Sequence, residues 1–175
     1  MDTKNYVTNG RLDADLDRLM KGATLKAAKP TPPKPDFLAK LSADTRQAFE
    51  ALASRLESGT FPDLYDFNVD WGCDTAAFRN VDPEAFALAN DGSGNYWLLC
   101  ADGAVRSWCH DEGGRMEDHN SFSSLDDAIA CFVRYTAVRE EHATLDDVRA
   151  DFEAKREEND GENGWTFLLE QLEEL

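Results

Sequence analysis

The stretch Phe86-Ala-Leu-Ala-Asn-Asp-Gly-Ser-Gly-Asn-Tyr-Trp-Leu-Leu-Cys-Ala-Asp-Gly-Ala-Val-Arg-Ser-Trp-Cys-His-Asp-Glu112 decides the fold of this chain. It contains three short apolar runs, separated by glycine-containing turns at residues 91–95 and 102–103. Such a pattern predicts antiparallel strands joined as a β-meander. The Asp102-Gly103 pair is the stronger signal, because both central residues of a type I′ hairpin turn need a positive φ.

A two-residue turn at Asp102-Gly103 would also fix the register of the second hairpin. Trp97 would then lie opposite Trp108, and Leu99 opposite Arg106, so that these four side chains share one face. That face could be half of a buried aromatic layer, or a flat anchor for a partner, since Trp and Arg are enriched at binding hot spots. The other face would carry Tyr96, Leu98, Cys100, Val105, Ser107 and Cys109.

Charge excludes some classes of partner. The 175 residues contain 35 Asp and Glu against 18 Lys and Arg, giving a net charge of -17. Such a chain is repelled by nucleic-acid backbones and anionic membranes, and it attracts a basic partner. No segment resembles a signal peptide, and no apolar run approaches the roughly 18 residues that span a bilayer. We therefore expect a cytoplasmic location and no nucleic-acid or membrane partner.

The first 35 residues differ in composition from the rest of the chain. They carry seven Lys or Arg and four Asp, and they end in a proline-containing stretch at residues 26–35. This composition favours a basic N-terminal arm outside a single domain at residues 36–175. We expect a mobile tail, and the alternative is an intramolecular clamp onto the acidic body.

Four helices are predicted around the meander. One runs from about Asp44 to Glu57 after a Ser42 or Asp44 cap and ends near Gly59, and a second begins after Ser124. Residues 44–138 would form the core of the domain, and residues 139–175 an acidic tail with two further helices. These would span about Leu145 to Glu158 and the residues after Gly164.

The first turn, Asp91-Gly-Ser-Gly-Asn95, places oxygen-bearing side chains at alternate positions, as a calcium loop does. The pattern then fails, because the sharp-turn glycine is replaced by Tyr96 and the bidentate Glu by Asp102. We therefore interpret it as a turn whose Asp and Asn bond their own backbone. The structural turn residues are Asp91, Gly92, Gly94, Asp102 and Gly103.

His110, Asp111, Glu112 and His119 supply four potential ligands or acid–base groups within ten residues. A metal-dependent hydrolase could use such a set, but a solvated turn beside two glycines explains it more simply. The four cysteines lack Cys-x-x-Cys spacing, which favours buried free thiols. With no catalytic motif in the chain, we expect a non-enzymatic protein without metal or cofactor.

Several separated motifs together resemble the SMI1/KNR4, or SUKH, superfamily over about residues 44–138. They are a helix, the segment Phe61-Pro-Asp-Leu-Tyr-Asp-Phe67, the two turns with their flanking strands, and Ser121-Phe-Ser-Ser-Leu125 before a helix. The chain departs from the family pattern at Phe61, where Leu is usual, and at Asp111, which is inserted between His110 and Glu112. The resemblance implies an α+β fold with an antiparallel sheet packed by helices.

The resemblance also implies a binding function. Many bacterial members are similar to immunity proteins that neutralise polymorphic toxins, often nucleases, while fungal relatives resemble cell-wall signalling regulators. We therefore expect a protein that binds a basic toxin domain, with a regulatory scaffold as the alternative and a metal-dependent enzyme as a third hypothesis. The candidate partner-binding residues are Trp97, Arg106, Trp108, His110, Asp111 and Glu112.

Overall fold

The computed structural model describes residues 1–25, 27–73, 80–111, 115–158 and 163–175. The fold is α+β, as the sequence predicts. Its helices are α1 (Arg11–Leu19), α2 (Pro35–Lys40), α3 (Ala43–Ser58), α4 (Leu125–Arg139), α5 (Leu145–Arg156) and α6 (Gly164–Glu173). Its strands are β1 (Asn68–Val69), β2 (Phe86–Asn90), β3 (Tyr96–Leu99), β4 (Val105–Cys109) and β5 (Arg115–Phe122).

The five strands form one antiparallel sheet in chain order, which confirms the predicted meander. The predicted helix ends are also close to those observed. The Ser42 hydroxyl accepts from the Thr45 N–H at the start of α3, and Gly59 ends that helix with φ +68°. The Ser124 hydroxyl accepts from the Asp127 N–H at the start of α4. These local signals suffice because each cap satisfies backbone groups within a few residues.

The predicted register of the second hairpin is wrong by one residue. Tyr96 lies opposite Trp108, and Trp97 lies opposite Ser107. The cause is a three-residue loop: the Cys100 N–H donates to the Ala104 carbonyl at 2.9 Å, and the Gly103 N–H donates to the Cys100 carbonyl. Gly103 has φ +88°, whereas Asp102 does not have a positive φ. A type I turn followed by one left-handed glycine is the usual form of a three-residue hairpin loop.

The shifted register places the two tryptophans on opposite faces of the sheet. Trp97 is 5% exposed and packs against Phe122 and Phe132 in the main core. Trp108, also 5% exposed, belongs to a smaller cluster with Ala87 and Leu98 on the other face. The predicted shared Trp97–Trp108 face is therefore wrong, and neither indole is an exposed anchor.

Helix α4 is the centre of the core, because every residue from Leu125 to Ala137 is buried. It packs against α1, α3, α5, α6 and β5. A helix surrounded on all sides must satisfy its polar side chains internally. Arg134 does so by donating to Asp15 at 2.8 Å and to Asp151 at 2.7 Å, which joins α4 to α1 and α5.

The N-terminal segment is part of this core, so the expectation of a mobile tail is wrong. Tyr6, Val7, Leu12 and Leu19 are at most 3% exposed. The Val7 N–H donates to the Asp126 carboxylate at 2.7 Å, and the Thr3 hydroxyl donates to Asp127 at 2.9 Å. The alternative, a clamp onto the body, describes these contacts. Local sequence patterns carry little information about this packing, because the contacts join residues more than a hundred positions apart.

Candidate functional site

The structure places the predicted partner-binding residues in different environments. Trp97 and Trp108 are buried, as described above. Arg106 is partly exposed but paired: its guanidinium donates to both carboxylate oxygens of Asp102, at 2.7 and 3.1 Å. This hydrogen-bonded Arg106 lowers the pKa of Asp102. Because Asp102 lies in the loop and Arg106 in β4, this ion pair stabilises the hairpin.

His110 and Asp111 remain at the surface. The His110 backbone N–H donates to the Asn95 side-chain oxygen at 3.1 Å, and its ring Nδ1 lies 2.9 Å from the same atom. Its Nε2 lies 3.0 Å from an Asp111 oxygen. Glu112 and the side chain of His119 lie outside the described part of the structure. In the described part, no group of three His, Cys, Asp or Glu side chains is arranged to hold a metal.

The first turn of the meander has the predicted internal bonding. The Asp91 carboxylate accepts from the backbone N–H groups of Ser93 and Asn95, at 2.8 and 3.1 Å, and from the Asn95 side chain at 2.7 Å. Gly92 and Gly94 both have positive φ. A Cβ on Gly94 would lie 3.3 Å from the His110 ring. Asn95 thus joins this turn to His110 at the end of β4.

All four cysteines are free, as the sequence predicts, but Cys73 and Cys109 are only partly buried. Cys100 and Cys131 are buried, and burial raises the pKa of each thiol. Because the thiolate is the reactive form, these two side chains are inert core residues.

A cleft that the sequence did not reveal lies where the end of α1, the loop after Pro62 and the end of α4 meet. Its volume is about 600 Å³. Met20, Ala23 and Leu64 contribute apolar surface, and the acidic side chains that line it are Asp63, Asp66 and Glu140. His142 also lines it, while its described lining contains no Lys or Arg. We call this feature the acidic cleft.

Asp66 is held in the acidic cleft by both its backbone and its side chain. Its φ is +56°, a conformation that non-glycine residues rarely adopt. Its carbonyl accepts from the Trp97 indole N–H at 2.9 Å, which ties it to the core. Its carboxylate accepts from the Tyr135 hydroxyl at 3.2 Å, and burial raises the pKa of this carboxyl group. The Tyr135 hydroxyl also lies 2.7 Å from the Gln171 side-chain oxygen, so its single hydrogen is shared.

Arg139, whose charge acts to lower the pKa of Asp66, forms its own contacts with a different residue. Arg139 lies over the Tyr65 ring at 4.3 Å and donates to the Tyr65 hydroxyl at 2.6 Å. A guanidinium in this position gains cation–π energy and a hydrogen bond from one residue. It contributes positive potential near Asp66 without forming an ion pair with it.

A second cleft, of about 590 Å³, lies beside the N-terminal segment and Lys155. Lys155 is buried and lies 3.1 Å from Asp127 and 2.6 Å from Glu158. Burial alone would lower the pKa of this ammonium group, but the Glu158 and Asp127 carboxylates outweigh burial and raise it. Lys155 is therefore a charged, paired residue at neutral pH and not a nucleophilic amine.

The C-terminal helices present a strongly acidic exterior. Within residues 140–158 and 163–175, Arg156 is the only exposed Lys or Arg. The exposed acids there are Glu140, Glu141, Asp146, Asp147, Glu153, Glu157, Glu158, Glu170, Glu173 and Glu174. We call this feature the C-terminal acidic surface. Glu140 belongs both to it and to the acidic cleft.

No protein-family model, curated protein or solved structure matches this chain. Within the described residues, no helix is both long enough and apolar enough to cross a membrane.

Proposed function

We propose that this chain is a non-enzymatic binding protein that recognises a basic protein partner through its acidic exterior. The observation that carries the proposal is the C-terminal acidic surface, where ten exposed carboxylates face solvent beside Arg156 as the only exposed Lys or Arg in the described residues. A surface of one sign steers an oppositely charged partner and raises the association rate.

The partner that best fits this charge is a toxin domain with a basic substrate cleft, as the resemblance to SMI1/KNR4-like immunity proteins implies. Nuclease domains need positive charge to hold phosphate backbones. An acidic protein bound over such a cleft would compete with the nucleic acid for the same charges. This supports an immunity function for the chain.

The state of the titratable groups supports binding over catalysis. Lys155 is paired with two carboxylates. Arg134 is paired with Asp15 and Asp151. Groups held in such pairs fix the fold and are not poised to exchange protons during a reaction.

The test uses the gene next to the one that encodes this chain. We expect a neighbouring reading frame whose product is toxic when expressed alone, is tolerated when this chain is co-expressed, and co-purifies with it. If the two proteins do not associate, or if the neighbouring product is harmless, the immunity proposal is wrong. A partner that is a host regulatory protein would instead favour the scaffold alternative.

The role of charge is tested by measuring how fast the chain associates with the product of the neighbouring gene. The association rate should fall markedly as added salt shortens the Debye length from about 30 Å at 0.01 M to about 8 Å at 0.15 M. The dissociation rate should change much less. An association rate that does not depend on salt would remove the electrostatic argument.

A further inference from the structure

We propose that the acidic cleft receives a lysine or arginine side chain of the protein partner, while an apolar neighbour of that residue packs on Leu25. This inference rests on the proposed function, because it names the place and the chemistry by which a basic partner is recognised. The C-terminal acidic surface would attract the partner, and the cleft would fix its orientation.

The first observation concerns uncompensated charge. Asp66 and Glu140 form no ion pair with any described residue, and the Tyr135 hydroxyl is the one described side-chain donor to the Asp66 carboxylate. Because that hydroxyl also faces Gln171, it can satisfy Asp66 only in part. A half-buried carboxylate in this condition is costly, and an entering cation would relieve the cost.

The second observation concerns shape. Ala23 is partly exposed and the edges of Met20 and Leu64, which are 4% and 5% exposed, also line the cleft, so a small apolar surface lies beside the carboxylates. Long basic side chains bury their methylene stems on such surface while the charged end meets acids. The cleft volume of about 600 Å³ is within the range of sites that enclose a small ligand or side chain. The methylene stem of an entering Lys or Arg can therefore contact apolar residues while its charged group contacts the carboxylates.

The third observation is the apolar rim. Leu25 is 55% exposed, one of three exposed large hydrophobic residues in the described part of the chain. It is held by a β-bridge to Pro62, and the adjacent Thr24 and Asp63 line the cleft. A single exposed leucine needs no explanation by itself. Leu25 itself is not part of the cleft lining, but its bridge to Pro62 fixes it next to two lining residues, which suits a partner segment with a basic residue next to an apolar one.

Other occupants fit these residues less well. An anion would be repelled by the Asp66 and Glu140 carboxylates. A tightly held metal would need converging ligands, and no group of three is arranged in that way within the described residues. A free polyamine shares the cationic chemistry, but it would make no use of Leu25.

The experiment titrates the full chain with acetyl-Gly-Arg-Leu-Gly-amide and follows backbone amide signals by ¹H–¹⁵N NMR. We expect saturable shifts near residues 22–25, 63–66 and 140–142. The matched peptide acetyl-Gly-Gln-Leu-Gly-amide should not produce them. Spermidine is titrated separately, and tighter binding of spermidine than of the peptide at the same residues would overturn the docking of a protein side chain.

The variant Asp66→Asn/Glu140→Gln removes two charges from the cleft while keeping side-chain size. Asn also tolerates the positive φ of position 66. The matched control, Glu153→Gln/Glu157→Gln, removes two charges from exposed positions outside the cleft lining. We expect the cleft variant to weaken peptide binding about fivefold or more and the control to change it less than about twofold.

The outcomes separate this inference from the proposed function. Equal weakening by both variants, shifts spread over α5 and α6, or no saturable shift would each overturn the cleft. Shifts on α5 and α6 alone would leave the acidic-surface proposal standing. If the partner found by co-expression binds with a salt-independent rate, the proposed function loses its electrostatic basis whatever the peptide does.

Discussion

The two ends of the chain both pack against α4, but they use charge in different ways. Residues 1–20 place Asp15 against the buried Arg134 and fill the core with Tyr6 and Leu12. The C-terminal helices also bury apolar residues, yet most of their acids face solvent. The basic segment, which composition marks as an appendage, completes the fold, while the acidic one supplies the proposed binding surface. Net charge therefore says little about which segment is structural.

The largest expected effect concerns the buried ion pair between the N-terminal segment and α4. Arg134→Met should lower the free energy of unfolding by about 3–5 kcal/mol, because it removes the buried guanidinium from the Asp15 and Asp151 carboxylates and leaves Asp15 with Arg18 and Tyr6. Urea unfolding followed by circular dichroism measures it. The C-terminal counterpart, Arg149→Met, removes an exposed pair with Glu173 and should cost about 0–1 kcal/mol. If both variants lost a similar free energy of unfolding, the distinction between a buried N-terminal ion pair and an exposed C-terminal one would be wrong.

The next effect tests how the C-terminal segment joins the sheet. A Cβ on Gly164 at the start of α6 would lie 2.6 Å from the Cε1 atom of the buried Phe122 ring. Gly164→Ala should therefore cost about 1–3 kcal/mol, although Ala is the better helix former. Thermal melting measures the loss. Adding Phe122→Leu should recover part of it if overlap is the cause, and a stabilised single variant would show that the contact is absent.

A smaller effect concerns the hairpin loop that sets the two sheet faces. Gly103→Ala should cost about 1–2 kcal/mol, because φ +88° is unfavourable for a residue with a Cβ. The new Cβ would also lie 3.0 Å from the Thr45 hydroxyl oxygen. Gly103→Asn should cost less, since Asn tolerates the left-handed region. An unchanged melting temperature in Gly103→Ala would mean that the loop is not as described.

The smallest expected effect is on the pH dependence of stability, which should have opposite sign for Asp66 and Asp102. Burial raises the pKa of Asp66 above its ordinary value of 3.8, so this group favours the folded state below that value and loses its contribution as pH rises through the raised pKa. Asp66→Asn should therefore be more stable than the parent at pH 7, and this advantage should vanish toward pH 3.8.

Asp102 provides the comparison, because Arg106 lowers its pKa. The stabilising contribution of Asp102 is present above the ordinary value of 3.8 and is lost as pH falls through the lowered pKa. Asp102→Asn should therefore be less stable than the parent at neutral pH, and the difference should shrink in acid. Urea unfolding of the parent and both variants between pH 3.8 and 7 measures these differences. If the stability difference from the parent changed with pH in the same direction for both variants, the two described environments would be wrong.

The hairpin shows where sequence reasoning reaches its limit. Asp102-Gly103 correctly marked a turn, but a two-residue loop and a three-residue loop share that signature. Because the loop is one residue longer than predicted, the residues of β4 that share a face with a given residue of β3 change. Trp97 therefore lies in the main core, and Trp108 lies on the opposite face of the sheet. Asp66 and the acidic cleft left no recognisable signal, because the residues that line it come from three separated segments.

The sequence by itself determined the α+β class, the order of the meander strands, the capped helices and the strong negative charge. These features depend on turn residues, capping side chains and apolar periodicity, which act over a few neighbouring positions. Only the tertiary structure decided the hairpin register, the burial of the N-terminal segment, the pairing of Arg134 and the existence of the acidic cleft. Each of these depends on contacts between distant residues, whose free energy is set by packing and desolvation and not by local preference.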